Sequence, residues 1–246
     1  MIKSSNPALT TSVFRNEVSN TASEPMTIQG TVNKTSILLL IVILCASFTW
    51  NKFFAAQNIT PFLILGGITG FITAMITVFK KNLSHITAPI YAASQGLFLG
   101  GLSAMFEASY PGIVIQAIGL TFGTLFCLLG AYKSGMIKAT ENFKLGIVAA
   151  TGGLMIFYFI SFILSMFGVS MGLFHGNGLF AIGFSVVVVV IAALNLVMDF
   201  DFIEHGAEIG APKYMEWYAA FGLMVTLIWL YVEILRLLAK LQSRRD

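Results

Sequence analysis

Long apolar runs follow one another along most of this chain, separated by short polar segments. Each run is about 20 residues long, which as a helix matches the ~30 Å hydrocarbon core of a bilayer. Because backbone polar groups must be satisfied inside hydrocarbon, only helices and closed barrels can span it. A barrel needs alternating segments of about 10 residues, and runs such as FSVVVVVIAALNLVM do not alternate. The sequence therefore predicts an all-α integral membrane protein.

Seven runs of this kind are predicted to be transmembrane helices. Their approximate limits are residues 36–56, 61–79, 86–106, 112–132, 143–167, 179–203 and 216–240. Residues 1–35 are rich in Ser, Thr and Asn and contain no apolar stretch of signal-peptide length, so they are predicted to form a mobile cytoplasmic tail. Residues 36–241 make up the predicted transmembrane domain, and residues 242–246 a short basic tail.

Composition supports a membrane location and argues against a nucleic-acid partner. The chain is 57% hydrophobic and only 10% charged, whereas soluble domains are about 25% charged. The formal charge of +3 is small and the basic residues are scattered over loops and the tail, so no nucleic-acid partner is expected. Cys45 and Cys127 both lie inside apolar runs, where a thiol behaves as a small hydrophobe. The expected surroundings are the lipid bilayer.

The distribution of Lys and Arg predicts a cytoplasmic N-terminus, because cytoplasmic loops carry the excess of basic residues. This orientation places the following residues inside: Lys3, Arg15, Lys34, Lys80, Lys81, Lys133, Lys138, Lys144 and Lys213. Only Lys52 then remains in the outer loops. Seven full crossings would leave the basic C-terminal tail outside, against the rule. Either the last helix is re-entrant or tilted within the bundle, or the upstream helices override its charges.

Glycines recur four residues apart in several runs. The pairs are Gly66 and Gly70, Gly96 and Gly100, Gly119 and Gly123, and Gly168 and Gly172. Small residues at this spacing allow membrane helices to approach closely. We expect tight helix packing, particularly at Gly96 and Gly100; a glycine-lined path or hinge is the alternative.

Two carboxylates at the end of the sixth run, Asp199 and Asp201, are the first functional candidates. A charged carboxylate inside the hydrocarbon costs roughly 2.5 to 3.5 kcal/mol on insertion scales, so it normally faces a partner, a cavity or a proton path. At 100° per residue, the two side chains point about 200° apart on a helix and cannot line one pore. One of them is expected to face the helix bundle and to change charge with pH.

Further ionisable residues follow on the same helix. Asp201, Glu204, His205 and Glu208 stand at i, i+3, i+4 and i+7 and share one face, so Asp201 could hydrogen-bond His205. They form either a solvated turn or an acidic vestibule that collects a hard cation such as Ca²⁺. Zinc is disfavoured because His85 and His175 lie on other segments. We expect no tightly bound metal and no cofactor.

Other polar residues lie within the apolar runs. Thr226, near the middle of the last run, can bond its own helix backbone or meet Asp199 or Asp201 across the bundle. Asn195, one turn before Asp199, is a possible second polar contact. Glu233 and Arg236 stand at i, i+3 and are expected to pair.

An intramembrane hydrolase is disfavoured. Ser103, in the segment GLSA, lacks the glycine that would follow a nucleophilic serine and has no mid-membrane histidine partner. Asp199 likewise has no second mid-span aspartate in a GxGD-like setting. We expect that the chain is not an enzyme.

Three segments carry a family resemblance. APIYAASQGLFLGGLSAMFE, MDFDFIEHGAEIG and WYAAFGLMVTLIWLYVEILRLL resemble the Bax inhibitor family, in particular its bacterial YccA-like branch, and the likeness spans about residues 36 to 241. The resemblance implies an inner-membrane protein in which six helices surround a central C-terminal helix. It also implies a pH-sensitive calcium leak, controlled by an aspartate pair between the sixth and seventh helices.

The resemblance assigns one member of that pair to Asp199 or, with a shift of two residues, to Asp201. The other member aligns with Thr226, which is not a carboxyl residue, so the chain departs from the family pattern there. Either the sixth-helix carboxyls work with Thr226 and the backbone, or a carboxyl-pair gate is absent. The YccA-like branch also implies an alternative function. In that case the chain would bind and restrain a membrane-embedded ATP-dependent protease without transporting ions.

Overall fold

The computed structural model describes residues 24–168, 176 and 178–244. Across these residues the chain is all-α, with a single 3-10 turn at Lys81–Leu83. The seven α-helices there are α1 (Ile28–Phe54), α2 (Thr60–Phe79), α3 (Ser84–Ser109), α4 (Ile113–Lys133), α5 (Glu141–Met166), α6 (Leu179–Glu208) and α7 (Met215–Gln242). His175, Gly172 and Arg245 lie outside the described residues.

The first helix begins earlier than its apolar run. Thr27 caps α1 by accepting a hydrogen bond from the backbone N–H of Gly30 at 2.9 Å, so the helix starts at Ile28 rather than at residue 36. Just before it, the backbone N–H of Met26 donates to the carbonyl of Ala211 at 2.7 Å, and Met26 is buried. Residues 24–35 are therefore attached to the bundle, and the predicted tail boundary falls inside a helix.

Six of the helices, α1, α2 and α4 to α7, are long and apolar enough to cross a membrane. The third, α3, is long enough but less apolar, because Ser, Gly, Tyr and Gln replace larger aliphatic residues along it. It packs against α1 and α2 on one side and α7 on another. The buried small residues of α3, such as Gly96, Gly100 and Ala104, allow these neighbours to approach closely.

The C-terminal helix α7 has four main neighbours. It packs against α6, α1, α4 and α3, while α2 packs mainly on α3 and α5 mainly on α6. Tyr218, Phe221 and Met224 in the first half of α7 and Leu230 and Leu235 in its second half are fully buried. The helix therefore lies in the interior of the bundle, and α2 and α5 are more peripheral.

The helices alternate in direction. The starts of α1, α3, α5 and α7 lie at the same end of the bundle as the ends of α4 and α6. Four contacts between side chains or backbone groups show this: Lys34 with Glu216, Ser84 with Tyr214, Tyr132 with Glu204, and Lys144 with Asp201. We call this the basic end. At the opposite, far end, Lys240 near the end of α7 donates to the carbonyl of Ala181 at 3.3 Å and to the hydroxyl of Ser185 at 2.8 Å, both on α6. The last helix thus runs the full length of the bundle as one continuous helix.

Two of the three glycine pairs that lie wholly within the described residues are at helix contacts. A methyl group at Gly96 would lie 2.6 Å from the carbonyl oxygen of Val42, and one at Gly100 would collide with the backbone of Ala46. Gly66 and Gly70 of α2 are packed in the same way against α3. A methyl group at Gly119 or Gly123 would meet no described atom within 4 Å. The same spacing therefore marks a contact on α2 and α3 but not on α4.

Candidate functional site

The structure places Asp199 in the interior of the bundle. The residue is 1% exposed and lies where α6 packs against α7, with the hydroxyl of Thr226 close to its carboxylate. The Thr226 hydroxyl also lies 3.3 Å from the carbonyl oxygen of Gly222 on its own helix. Because a hydroxyl has a single proton to donate, it can serve only one of these two oxygens at a time.

One carboxylate oxygen of Asp199 is unsatisfied. Its Oδ2 has no hydrogen-bond partner in the part of the chain that the structure describes. No basic side chain there forms an ion pair with it either. A buried charge normally requires a counter-charge and several hydrogen bonds, and the described residues give Asp199 no counter-charge and leave its Oδ2 without a hydrogen bond. It is therefore a polar group whose surroundings favour a proton, a water molecule or a cation beside it.

Asp201 faces the other way, as helical geometry requires. Its side chain is 28% exposed, and its Oδ2 lies 2.6 Å from Nζ of Lys144 at the start of α5. Lys144 is also 3.9 Å from Glu141 one turn earlier. Asp201 is therefore an ion-paired group at the basic end, whereas Asp199 is the aspartate that faces the bundle.

The remaining acidic residues of α6 are separated from one another. The hydroxyl of Tyr132 donates to Glu204 at 2.5 Å, and Nδ1 of His205 lies 3.9 Å from Glu208. The predicted Asp201–His205 hydrogen bond does not form, because Asp201 pairs with Lys144 instead. Within the described ranges, no three His, Cys, Asp or Glu side chains come close enough to hold a metal ion. The acidic vestibule is thus a row of separately paired groups.

Asn195 extends the polar contacts of α6 towards α5. Its Nδ2 donates to the Thr151 hydroxyl at 2.9 Å and to the carbonyl of Ile191 at 2.8 Å. Thr151 and Asn195 are both buried. This pair is the polar link that holds the outer helix α5 against the middle of α6.

The comparisons with known proteins identify the family. The family model described as Bax inhibitor 1 like matches residues 6–243, which is nearly the whole chain. The chain belongs to the Bax inhibitor 1-like family. No curated protein and no solved structure matches it. Members of the Bax inhibitor 1-like family are generally non-enzymatic membrane proteins.

In this Bax inhibitor 1-like chain, a second buried carboxylate lies on α7 but away from Thr226. Glu233 is 4% exposed, and its Oε1 accepts from Arg236 at 3.1 Å, which confirms the predicted pair. The hydroxyl of Tyr158 on α5 lies 3.4 Å from the same oxygen. Glu233 is therefore charge-compensated within its own helix, unlike Asp199.

Sequence reasoning missed a polar cluster at the basic end. Glu216, in the first turn of α7, is fully buried and accepts from the backbone N–H of Thr27 at 2.9 Å and from its hydroxyl at 3.0 Å. Lys34 bonds the same carboxylate, and Nζ of Lys213 lies 3.5 Å away. An acidic residue that opens an apolar run was the available signal. Its partner Lys34 is distant in sequence and could not be identified from spacing.

Proposed function

We propose that this chain is a pH-sensitive cation leak of the membrane, with calcium as the permeant ion and Asp199 as the controlling carboxyl group. The observation that supports the proposal is the environment of Asp199: the residue is fully enclosed, lies beside Thr226 of α7, and has one oxygen unsatisfied among the described residues. Ionisable groups inside membrane spans are costly and generally mark ion or proton pathways.

The two protonation states of Asp199 require different surroundings. The neutral carboxyl can donate a hydrogen bond, and it lies comfortably in an apolar interior. The charged carboxylate accepts only, and in a low dielectric it attracts a cation or water towards the α6–α7 contact. The neighbouring ionisable groups of α6 are Asp201, paired with Lys144, and Glu204, bonded to Tyr132. The switch therefore depends on the one group that has no such partner.

Calcium would pass this point rather than stay bound. Ca²⁺ takes six to eight oxygen ligands, whereas Asp199 and Thr226 offer a carboxylate and one hydroxyl. An ion leaving such a poorly liganded position encounters little resistance, which suits a leak.

The proposal includes a topology. We infer that α3 is the seventh crossing despite its lower apolarity, since it packs against both α1 and α2, which are candidate spans, and runs parallel to α1 and antiparallel to α2. The basic end would face the cytoplasm of a bacterial inner membrane, and the C-terminus would lie outside. Arg236 and Lys240 do not oppose this orientation strongly, because Glu233 and the start of α6 bind them. Reporter fusions at the N-terminus and after Asp246 should read opposite sides; equal readings would overturn the seven crossings.

Calcium flux into dye-loaded liposomes tests the leak. Wild-type protein should conduct with a strong pH dependence, and Asp199→Asn should flatten that dependence because the side chain can no longer change charge. Asp201→Asn is the matched control two residues away, and it should keep the wild-type profile. Flux equal to that of empty vesicles at every pH would refute the leak. A normal pH profile in both variants would instead move the site away from Asp199 and Asp201, with Glu204 and Glu208 as the next candidates.

A non-transporting role is the second candidate function. The observation that favours it is Thr226, a hydroxyl residue at the position where the resemblance implies the second carboxyl of a gate. The chain would then resemble the YccA-like branch in restraining a membrane-embedded ATP-dependent protease. Co-reconstitution should slow degradation of a membrane substrate by the protease, with no calcium flux at any pH. Flux without any effect on proteolysis would exclude this candidate.

A further inference from the structure

A lateral groove lies on the opposite side of α7 from Asp199. It has a volume of about 480 Å³ and lies between α1 and α4, which form its walls. Both wall helices pack against α7, and α3 packs against α1, so α3 and α7 form the floor. Asp199 and Thr226 do not line the groove, which makes it separate from the proposed ion site.

The lining of the groove is apolar. Val42 of α1 and Ile118 and Phe122 of α4 contribute to the walls, and Leu99 of α3 and Leu227 of α7 contribute to the floor. Deep apolar floors of this kind bind apolar ligands, and the volume lies within the roughly 300–1,000 Å³ of ligand pockets. The occupant must therefore be largely hydrocarbon.

The polar atoms in the floor already have partners. The hydroxyls of Ser103 on α3 and Tyr231 on α7 lie 2.6 Å apart and bond each other. They do not require a polar group from a ligand at that depth. A hydrocarbon chain could therefore lie against this part of the floor without leaving an unsatisfied polar group.

The groove has the length and position of one leaflet. On α1 its lining extends from Leu39 to Asn51, which at 1.5 Å per residue is about 18 Å, close to half of the ~30 Å hydrocarbon core. Trp50, near the far end of α1, lies at its rim, as expected for an interfacial aromatic residue. At the mouth, Ile43 is 54% and Ile118 is 38% exposed. Since α1 and α4 are candidate membrane spans, the mouth opens towards lipid.

We propose that this groove binds one acyl chain of a membrane phospholipid, inserted from the leaflet at the far end of the bundle. The bilayer supplies this occupant at high concentration beside the mouth, and the groove matches a single chain in polarity and in length. The bound chain would contact the back of α7 at Leu227, next to Thr226. A lipid site would thus lie on the opposite face of the helix that contacts Asp199.

Photo-crosslinking in vesicles tests the proposal. The full-length protein is reconstituted in phosphatidylcholine and phosphatidylglycerol vesicles containing phosphatidylcholine with a diazirine in one acyl chain, and labelled peptides are mapped by mass spectrometry. The diagnostic segment is 224–231 of α7, where Met224 is fully buried and Leu227 is 4% exposed, so surrounding lipid reaches it only through the groove. We expect label on Leu227 or Tyr231 in the wild type.

A matched pair of substitutions on α4 provides the control. Ile118→Trp fills the groove and should reduce labelling of the α7 segment to background. Ile115→Trp changes the same residue type on the same helix at a position that is 70% exposed and outside the lining, so its labelling should match the wild type. Ser47→Trp, from the α1 wall, replaces Ile118→Trp if that variant does not fold.

Three results would overturn the proposal. One is label confined to exposed residues such as Ile115, and another is α7 labelling that persists in the folded groove-filling variant. The third is a protein dimer crosslinked through α1 and α4 with an unlabelled α7 segment, which would identify a second copy of the chain as the occupant.

Discussion

Helices α3 and α5 have the same length, 26 residues, but differ in how much of each helix is buried in the bundle. The buried residues of α3 extend along its whole length, from Ser84 to Ala104. Those of α5 are only Ile147, Thr151 and Leu154. Yet α5 is apolar enough to be a candidate membrane span and α3 is not. The more buried helix is the less hydrophobic one.

The difference shows what apolarity reports in a membrane protein. Lipid is as apolar as leucine, so large aliphatic side chains gain nothing by leaving it, and helices associate instead through small residues and interhelical hydrogen bonds. On α3 these are Gly96, Gly100 and Ser94, whose hydroxyl is bonded by Thr69 of α2 at 2.9 Å. On α5, Ile156, Phe159 and other large side chains point outwards. Hydropathy therefore identifies lipid-facing surface, and small residues identify the interior.

The largest effect is expected at Gly100. A leucine there must displace the backbone of Ala46 on α1, and overpacking of this kind costs roughly 1–3 kcal/mol, occasionally more. Gly100→Leu should lower both the folded yield and the melting temperature in detergent, measured by size-exclusion chromatography and by thermal unfolding.

Gly152→Leu on α5 is the matched control. A methyl group at Gly152 would meet no described atom within 4 Å, so this variant should keep the wild-type yield and gain slightly in helix propensity. If the two leucine variants are equally stable, the distinction between a packed α3 and a lipid-facing α5 is wrong.

A smaller effect is expected where α5 joins α6. The buried hydrogen bond between Asn195 and Thr151 should contribute about 0.6–2 kcal/mol, the range found for interhelical hydrogen bonds in membranes. A double-mutant cycle with Asn195→Leu and Thr151→Val isolates the pair from other effects of each substitution. Additive losses in the thermal stability of the double variant would show that the bond does not hold α5 in place.

Much of the fold could be predicted from apolar runs alone, because run length and backbone satisfaction leave few options in hydrocarbon. The start of α1 could not, since its first residues are polar and their helix depends on the cap at Thr27. The glycine pairs illustrate a second limit. Gly96 and Gly100 on α3 have the same spacing as Gly119 and Gly123 on α4, but only the first pair meets a neighbouring helix. Spacing identifies a possible contact face, and only the tertiary arrangement decides whether a partner is present.

The candidate site, like the fold, could be predicted only in part from the sequence. Helical geometry requires Asp199 and Asp201 to face opposite ways, but it does not indicate which of them faces inwards. That choice depends on Thr226, on the neighbouring helix α7, and on Lys144, on α5. These partners are distant in sequence, so no local pattern on α6 could identify them.

The smallest effect is expected at the ion pair between Lys144 and Asp201, which attaches the start of α5 to the end of α6. Both side chains are partly exposed, at 19% and 28%, and such pairs contribute only about 0.2–1 kcal/mol. Lys144→Met should therefore lower the melting temperature slightly at low salt. At high salt the difference from the wild type should nearly vanish, because screening weakens the pair in the wild type as well. The loss in Gly100→Leu is steric and should be the same at both salt concentrations. The contrast between α3 and α5 would fail at the basic end if Lys144→Met lowered the melting temperature as much as Gly100→Leu does. It would also fail if the Lys144→Met effect did not change with salt, because α5 would then be held by more than a screened ion pair.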